Sequence, residues 1–146
     1  MHPLVIIGAR GWHDEEIIRA IQSSEFVQWK GYLPDGERDA CLQDAKVFAY
    51  PSLYEGFGLP VLDAMRAGIP VLTTQRGSLR EVAGEAAVFV DPDDVESIRD
   101  GLERLLTDSA LLERLQKEGP AQAAMFSWGA TVDRFLEAMR EVSETA

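Results

Sequence analysis

The chain has one cysteine, two histidines and three lysines among 146 residues. Cys41 alone allows no internal disulfide, and a lone Cys in an apolar-polar helical pattern reads as packing. His2 and His13 are too few to suggest a histidine-based metal site, and no metal is expected. Basic charge is scarce: 14 Lys and Arg stand against 25 Asp and Glu, a net charge of -11, with no basic run. Phosphate backbones draw on clustered Lys and Arg, so nucleic acid is not an expected partner. No apolar stretch approaches the ~20 residues of a membrane span. The first apolar run, Leu4 to Ile7, is too short for a signal-peptide core. A cytoplasmic protein is expected.

What remains is ordinary for a soluble globular domain: 46% hydrophobic and 27% charged residues. The length suits one domain with a sizeable core and not comfortably two, so residues 1–146 are expected to form a single domain.

Apolar runs and helical stripes alternate along the chain. Leu4–Ile7 reads as a strand buried on both faces. Asp14 can cap a helix carrying Ile17, Ile18 and Ile21. Phe26–Trp29 reads as a strand, Glu37–Ala45 as a helix and Val47–Tyr50 as a strand stopped by Pro51. Pro60 suits the first turn of a helix that ends at Gly68. Strands follow at Pro70–Thr73 and Ala87–Val90. A long helix opens after Asp91, with Asp93 and Glu96 at capping-box spacing. The acidic cluster Asp91-Pro92-Asp93-Asp94 reads as a helix cap, not as a cation site. Asp108 starts another helix, and a last amphipathic helix follows Ser127-Trp128 with Val132, Phe135, Leu136 and Met139. This alternation implies an α/β fold: a Rossmann-like parallel sheet of about five strands with helices on both faces. Ligands of such sheets bind beyond the C-terminal strand ends.

Three strand ends look equipped for a ligand. Gly8 and Gly11, in Gly8-Ala9-Arg10-Gly11-Trp12, can bring backbone near a phosphate or sugar, or form a plain tight turn. Gly31-Tyr32-Leu33-Pro34 offers backbone that could pair with a base edge, or is only a turn. The third is Tyr50-Pro51-Ser52-Leu53-Tyr54-Glu55-Gly56-Phe57-Gly58-Leu59-Pro60, which joins a strand to a helix through a glycine loop. Free backbone N–H groups at a helix N-terminus make an anion site. No P-loop Lys is present, so this is not a Walker A motif. Glu55 precedes the loop and Asp63 lies one turn into the helix. Carboxylates beside an anion site make sense for a ligand that also carries hydroxyls; alternatively, Asp63 only complements the helix dipole.

These residues bring the sequence to a family. The run from Leu4 to about Arg140 resembles the C-terminal, donor-binding half of retaining glycosyltransferases of GT-B fold, in glycosyltransferase family 4. The hallmark of that family is a Glu, seven residues and a second Glu within a Tyr-Glu-Gly-Phe-Gly-Leu-Pro-Val-Leu-Glu-Ala-Met context. Glu55 holds the first position, and Asp63 holds the second with a shorter side chain. Ala67-Gly68-Ile69-Pro70-Val71, Ser78-Leu79-Arg80-Glu81-Val82-Ala83-Gly84, Asp91-Pro92 and Phe126-Ser127-Trp128 also fit, with Arg80 where Pro is usual.

The resemblance implies a nucleotide-sugar ligand linked through UDP or GDP, bound as substrate with no separate cofactor, and glycosyl transfer with retention. By it Glu55 would hydrogen-bond the transferred sugar. Gly56, Phe57, Gly58 and Leu59 would hold sugar and diphosphate. Asp63 would take the ribose hydroxyls, Gly31, Tyr32 and Leu33 would edge the base, and Gly8 and Gly11 would line the crevice.

The family also has an N-terminal acceptor domain, a further strand before the one matching Leu4–Ile7, and an Arg and a Lys that neutralise the diphosphate. None of these is matched here. Arg10, Arg76 and Arg80 are the nearest cations. The further strand is central in the order 3-2-1-4-5-6. Without it a gap is expected between Leu4–Ile7 and Val47–Tyr50, closed by the two edges meeting or by another chain. The expected function is therefore donor binding without catalysis by this chain alone. The alternative is a non-catalytic assembly module that pairs with a partner chain; the last helix and an open sheet edge would receive a second copy, as a homo-oligomer, or the missing N-terminal domain. A flavodoxin-like or receiver domain lacks support, because no acidic pair follows the first strand.

Overall fold

In a computed structural model, residues 2–145 are described, with side chains for residues 2–143. The chain forms two compact units, Met1–Cys41 and Leu42–Ala146.

The first unit holds β1 (Leu4–Ile6), α1 (Glu15–Gln22), β2 (Val27–Trp29) and most of α2 (Asp35–Gln43). β1 and β2 pair in parallel, Leu4 opposite Val27 and Ile6 opposite Trp29. The apolar run at β1 is not buried on both faces as its composition suggests: Leu4 is 51% and Val5 40% exposed. β1 has β2 as its one hydrogen-bonding neighbour among the described residues, and burial on both faces would need layers packed over both, which β1 does not have. Asp14 begins α1 without a side-chain cap. Its carboxylate instead takes the Arg10 guanidinium and the Gly11 N–H, the latter at 3.0 Å.

The second unit holds β3 (Phe48–Tyr50), α3 (Leu59–Arg66), β4 (Val71–Thr74), α4 (Leu79–Ala83), β5 (Ala87–Val90), α5 (Val95–Thr107), α6 (Ser109–Ala124) and α7 (Trp128–Thr145). Its sheet is parallel in the order β3-β4-β5. Side chains alternate across the sheet as a strand requires. Val71 and Ala87 pack on one face with α3 and α4, through Val61, Leu62, Met65, Leu79 and Val82. Leu72, Val88 and Val90 pack on the other face with Leu105 of α5 and Leu111 and Leu115 of α6. Helices thus cover both faces.

The five strands divide between two sheets, where the sequence suggested one; among the described residues there is no sixth strand to link them. α4 is only five residues long. The capping box is also revised. Asp94, not Asp93, caps α5, accepting from the Glu96 N–H at 2.9 Å, while Asp93 pairs with Arg76 at 2.6 Å. Asp108 caps α6 as expected, accepting from the Leu111 N–H. On α7, Trp128, Val132, Phe135, Leu136, Met139 and Val142 are all exposed. Among the described residues no helix is long and apolar enough to cross a membrane.

Candidate functional site

The strongest candidate lies in the second unit, where β3 runs through residues 51–58 into α3. Pro51 ends the strand, because it has no N–H for the ladder. Gly58 then turns the chain into the helix with φ +96°, a left-handed value that glycine adopts freely. A Cβ at Gly58 would also stand 2.7 Å from Leu79 Cδ2. Pro60 occupies the first turn of α3.

The N–H groups of Glu55, Gly56, Phe57, Gly58 and Leu59 donate to no acceptor in the chain among the described residues. They are available to a ligand at the positive end of the helix dipole. Val61 and Leu62 are the first amides to turn inward, both to the Gly58 carbonyl.

The loop is gripped from the β4 side. Thr73 Oγ1 donates to the Tyr50 carbonyl at 3.0 Å and Thr74 Oγ1 to the Ser52 carbonyl at 2.9 Å. Ser78 Oγ donates to the Phe57 carbonyl at 2.8 Å. Both threonines are fully buried. Tyr50 Oη donates to Glu55 Oε1 at 2.6 Å, and Ser52 Oγ shares its proton between the same oxygen at 3.0 Å and the Tyr54 carbonyl at 3.1 Å. Burial first, and then the hydrogen bond to Glu55, push the Tyr50 phenol up to about 12.

Asp63 is half-exposed on α3, with Arg66 Nη1 at 3.3 Å. Arg66 also donates to the Phe126 carbonyl at 3.0 Å, and the Phe57 and Phe126 rings meet edge to face. Asp63 is therefore a carboxylate with a cation beside one oxygen.

Gly8, Gly11, Tyr32 and Leu33 belong to the first unit. The Gly8 N–H donates to the Gly31 carbonyl at 2.9 Å, and the Gly8 carbonyl accepts from Trp29 Nε1 at 2.9 Å. The Gly11 N–H is held by Asp14. Both glycine amides are thus occupied, that of Gly8 by the turn after β2 and that of Gly11 within its own turn. Tyr32 is largely exposed and Leu33 half-buried.

The three cations named from sequence all have partners. Arg10 pairs with Asp14, and Arg76 pairs with Asp93. Arg80 donates to the Gly84 carbonyl and to Glu85, and lies over the Phe89 ring, 4.9 Å from its centroid. Among the described residues no cluster of His, Cys, Asp or Glu is placed to hold a metal.

Sequence reasoning missed the β4–α4 corner. Gly77 and Ser78 follow a strand end just as the other glycine turns do, and that pattern was the available signal.

This fold, a parallel α/β arrangement with a glycine loop leading into a helix, is that of GT-B glycosyltransferases. Sucrose-phosphate synthase from Thermosynechococcus elongatus superposes with a TM-score of 0.82 over 98% of this chain and 39% of that one, at 25% identity. Residues 2–122 match the family described as glycosyl transferases group 1, and the chain belongs to that family. It is 38% identical over 130 residues to O-antigen chain mannosyltransferase B of Escherichia coli, covering 87% of this chain and 34% of that protein. It is 40% identical over 118 residues to the MMP alpha-(1->4)-mannosyltransferase of Mycolicibacterium hassiacum, covering 78% and 29%. The chain thus spans about a third of the length of these curated relatives.

Proposed function

We propose that this chain is the donor-binding portion of a retaining glycosyltransferase and takes a nucleoside diphosphate sugar linked through UDP or GDP. The observation that carries the reading is the row of unused amides from Glu55 to Leu59, next to a carboxylate fixed in place. The amides and the end of the α3 dipole hold the diphosphate. They also stabilise the charge that grows on it as the sugar departs, an electrostatic contribution from preorganised donors. Glu55 accepts from a sugar hydroxyl and Asp63 from the ribose. The reading uses no metal and no separate cofactor, and a cytoplasmic location goes with it. Tyr32, Leu33, Gly8 and Gly11 keep the roles that the family resemblance implies. This portion does not catalyse the transfer by itself.

Both curated relatives named above are mannosyltransferases by name, so UDP- and GDP-linked mannose are the first donors to test. Glu55→Gln keeps the size of the side chain and removes its charge. Equilibrium binding of the preferred sugar nucleotide should weaken about tenfold in that variant, the loss expected of a hydrogen bond to a charged group. Unchanged affinity would sink the assignment of Glu55.

A second reading, an assembly module, is favoured by one observation: the exposed apolar side chains along α7. Sedimentation velocity separates the two. A monomer that binds sugar nucleotide supports the first reading, and a stable oligomer that binds none supports the second.

A further inference from the structure

Glu55 does not present its carboxylate freely. Its Oε1 accepts from Tyr50 Oη and from Ser52 Oγ, the single Ser52 proton being shared with the Tyr54 carbonyl at 3.1 Å. Oε2 has no partner among the described residues. Both donors are anchored in turn. The Ser52 N–H bonds back to the Tyr50 carbonyl at 2.9 Å, and buried Thr73 and Thr74 hold the carbonyls of Tyr50 and Ser52. From the other side, Gly77 lies against the Glu55 backbone. An unrestrained glutamate would offer two oxygens in many rotamers and lose that freedom on binding. This one offers a single oxygen from a supported position.

We propose that Tyr50 and Ser52 are positioning residues that turn Glu55 so that Oε2 alone faces a hydroxyl of the bound sugar. The inference rests on the reading of Glu55 as a sugar-binding group, and it adds selectivity. A single free carboxylate oxygen accepts from a hydroxyl and repels a carbonyl or an anion at the same place. Tyr50 and Ser52 touch Glu55 and not the ligand, so their removal should be felt only by ligands that reach Glu55.

The test uses the full chain with Tyr50→Phe and Ser52→Ala, and two probes for each: the sugar nucleotide that binds best and the same nucleoside diphosphate without sugar. Each variant should weaken the sugar nucleotide by roughly three- to tenfold, the effect of one hydrogen bond, and leave the bare diphosphate unchanged. Equal loss for both probes, or no loss for either, overturns the inference. A second readout follows the Tyr50 ring by NMR across pH. Tyr50 should titrate at lower pH in Glu55→Gln than in the unaltered chain; identical titration would mean the pair is not formed, whatever the chain binds. Failure of the unaltered chain to prefer sugar nucleotide over bare diphosphate would instead count against the donor reading itself.

Discussion

A Cβ on Gly77 would stand 2.7 Å from the Glu55 carbonyl oxygen. No side chain can occupy that space, so the backbone after β4 and the backbone of the glycine loop touch directly. Gly77 also has φ +55°, the left-handed region where other residues are strained. Gly77→Ala should therefore destabilise the chain by about 1–2 kcal/mol from backbone conformation alone and displace Glu55. Thermal unfolding together with sugar-nucleotide affinity checks this. A variant of unaltered stability and affinity would show that the contact does not shape the loop.

Two limbs of the pH–stability profile should have separate owners. The folded Tyr50 phenol is raised from its ordinary 10.0 to about 12. Its contribution is present in full below about pH 10 and is lost as pH rises from there towards about 12. Asp14 is shifted the other way: chiefly the Arg10 hydrogen bond holds its carboxyl below the ordinary 3.8. Its contribution is present above that value and is lost as pH falls through the lowered one. Urea midpoints measured against pH should thus show a flatter alkaline limb in Tyr50→Phe and a flatter acid limb in Asp14→Asn. Loss of both limbs in one variant would contradict the assignment.

Burial separates two large side chains. Leu72 of β4 is fully buried beneath α5 and α6, whereas Trp128 is 85% exposed on α7. Leu72→Ala should cost about 2–5 kcal/mol, while Trp128→Ala should stay within about 0.5 kcal/mol. Chemical denaturation of each variant measures both. A large loss at Trp128 would mean that α7 is covered in solution.

The sequence made the glycine loop legible because its signals are local: Pro51 ends a strand, Gly56 and Gly58 turn, and Pro60 opens a helix. The parallel three-stranded sheet of the second unit followed from apolar runs separated by helical stripes. Other features depend on partners far along the chain. Thr73 and Thr74 hold carbonyls more than 20 residues away, and no periodicity encodes that. The Tyr50–Glu55 bond joins residues five apart, matching neither helical nor strand spacing. Leu4 and Val5 look like core in any window, yet their burial depends on what packs over the faces of β1, which the run itself does not encode. Spacing points to Asp14 and Asp93 as caps, but arginines claim both carboxylates. α4 is too short for a stripe to show.

The central claim is that this chain binds the donor of a sugar-transfer reaction through unused amides and a fixed glutamate. Isothermal titration of the chain with UDP, GDP and their sugar conjugates tests it most directly. The account predicts that at least one sugar nucleotide binds with Kd below ~1 mM, and more tightly than its bare diphosphate. Binding weaker than that for every one of these ligands would contradict it.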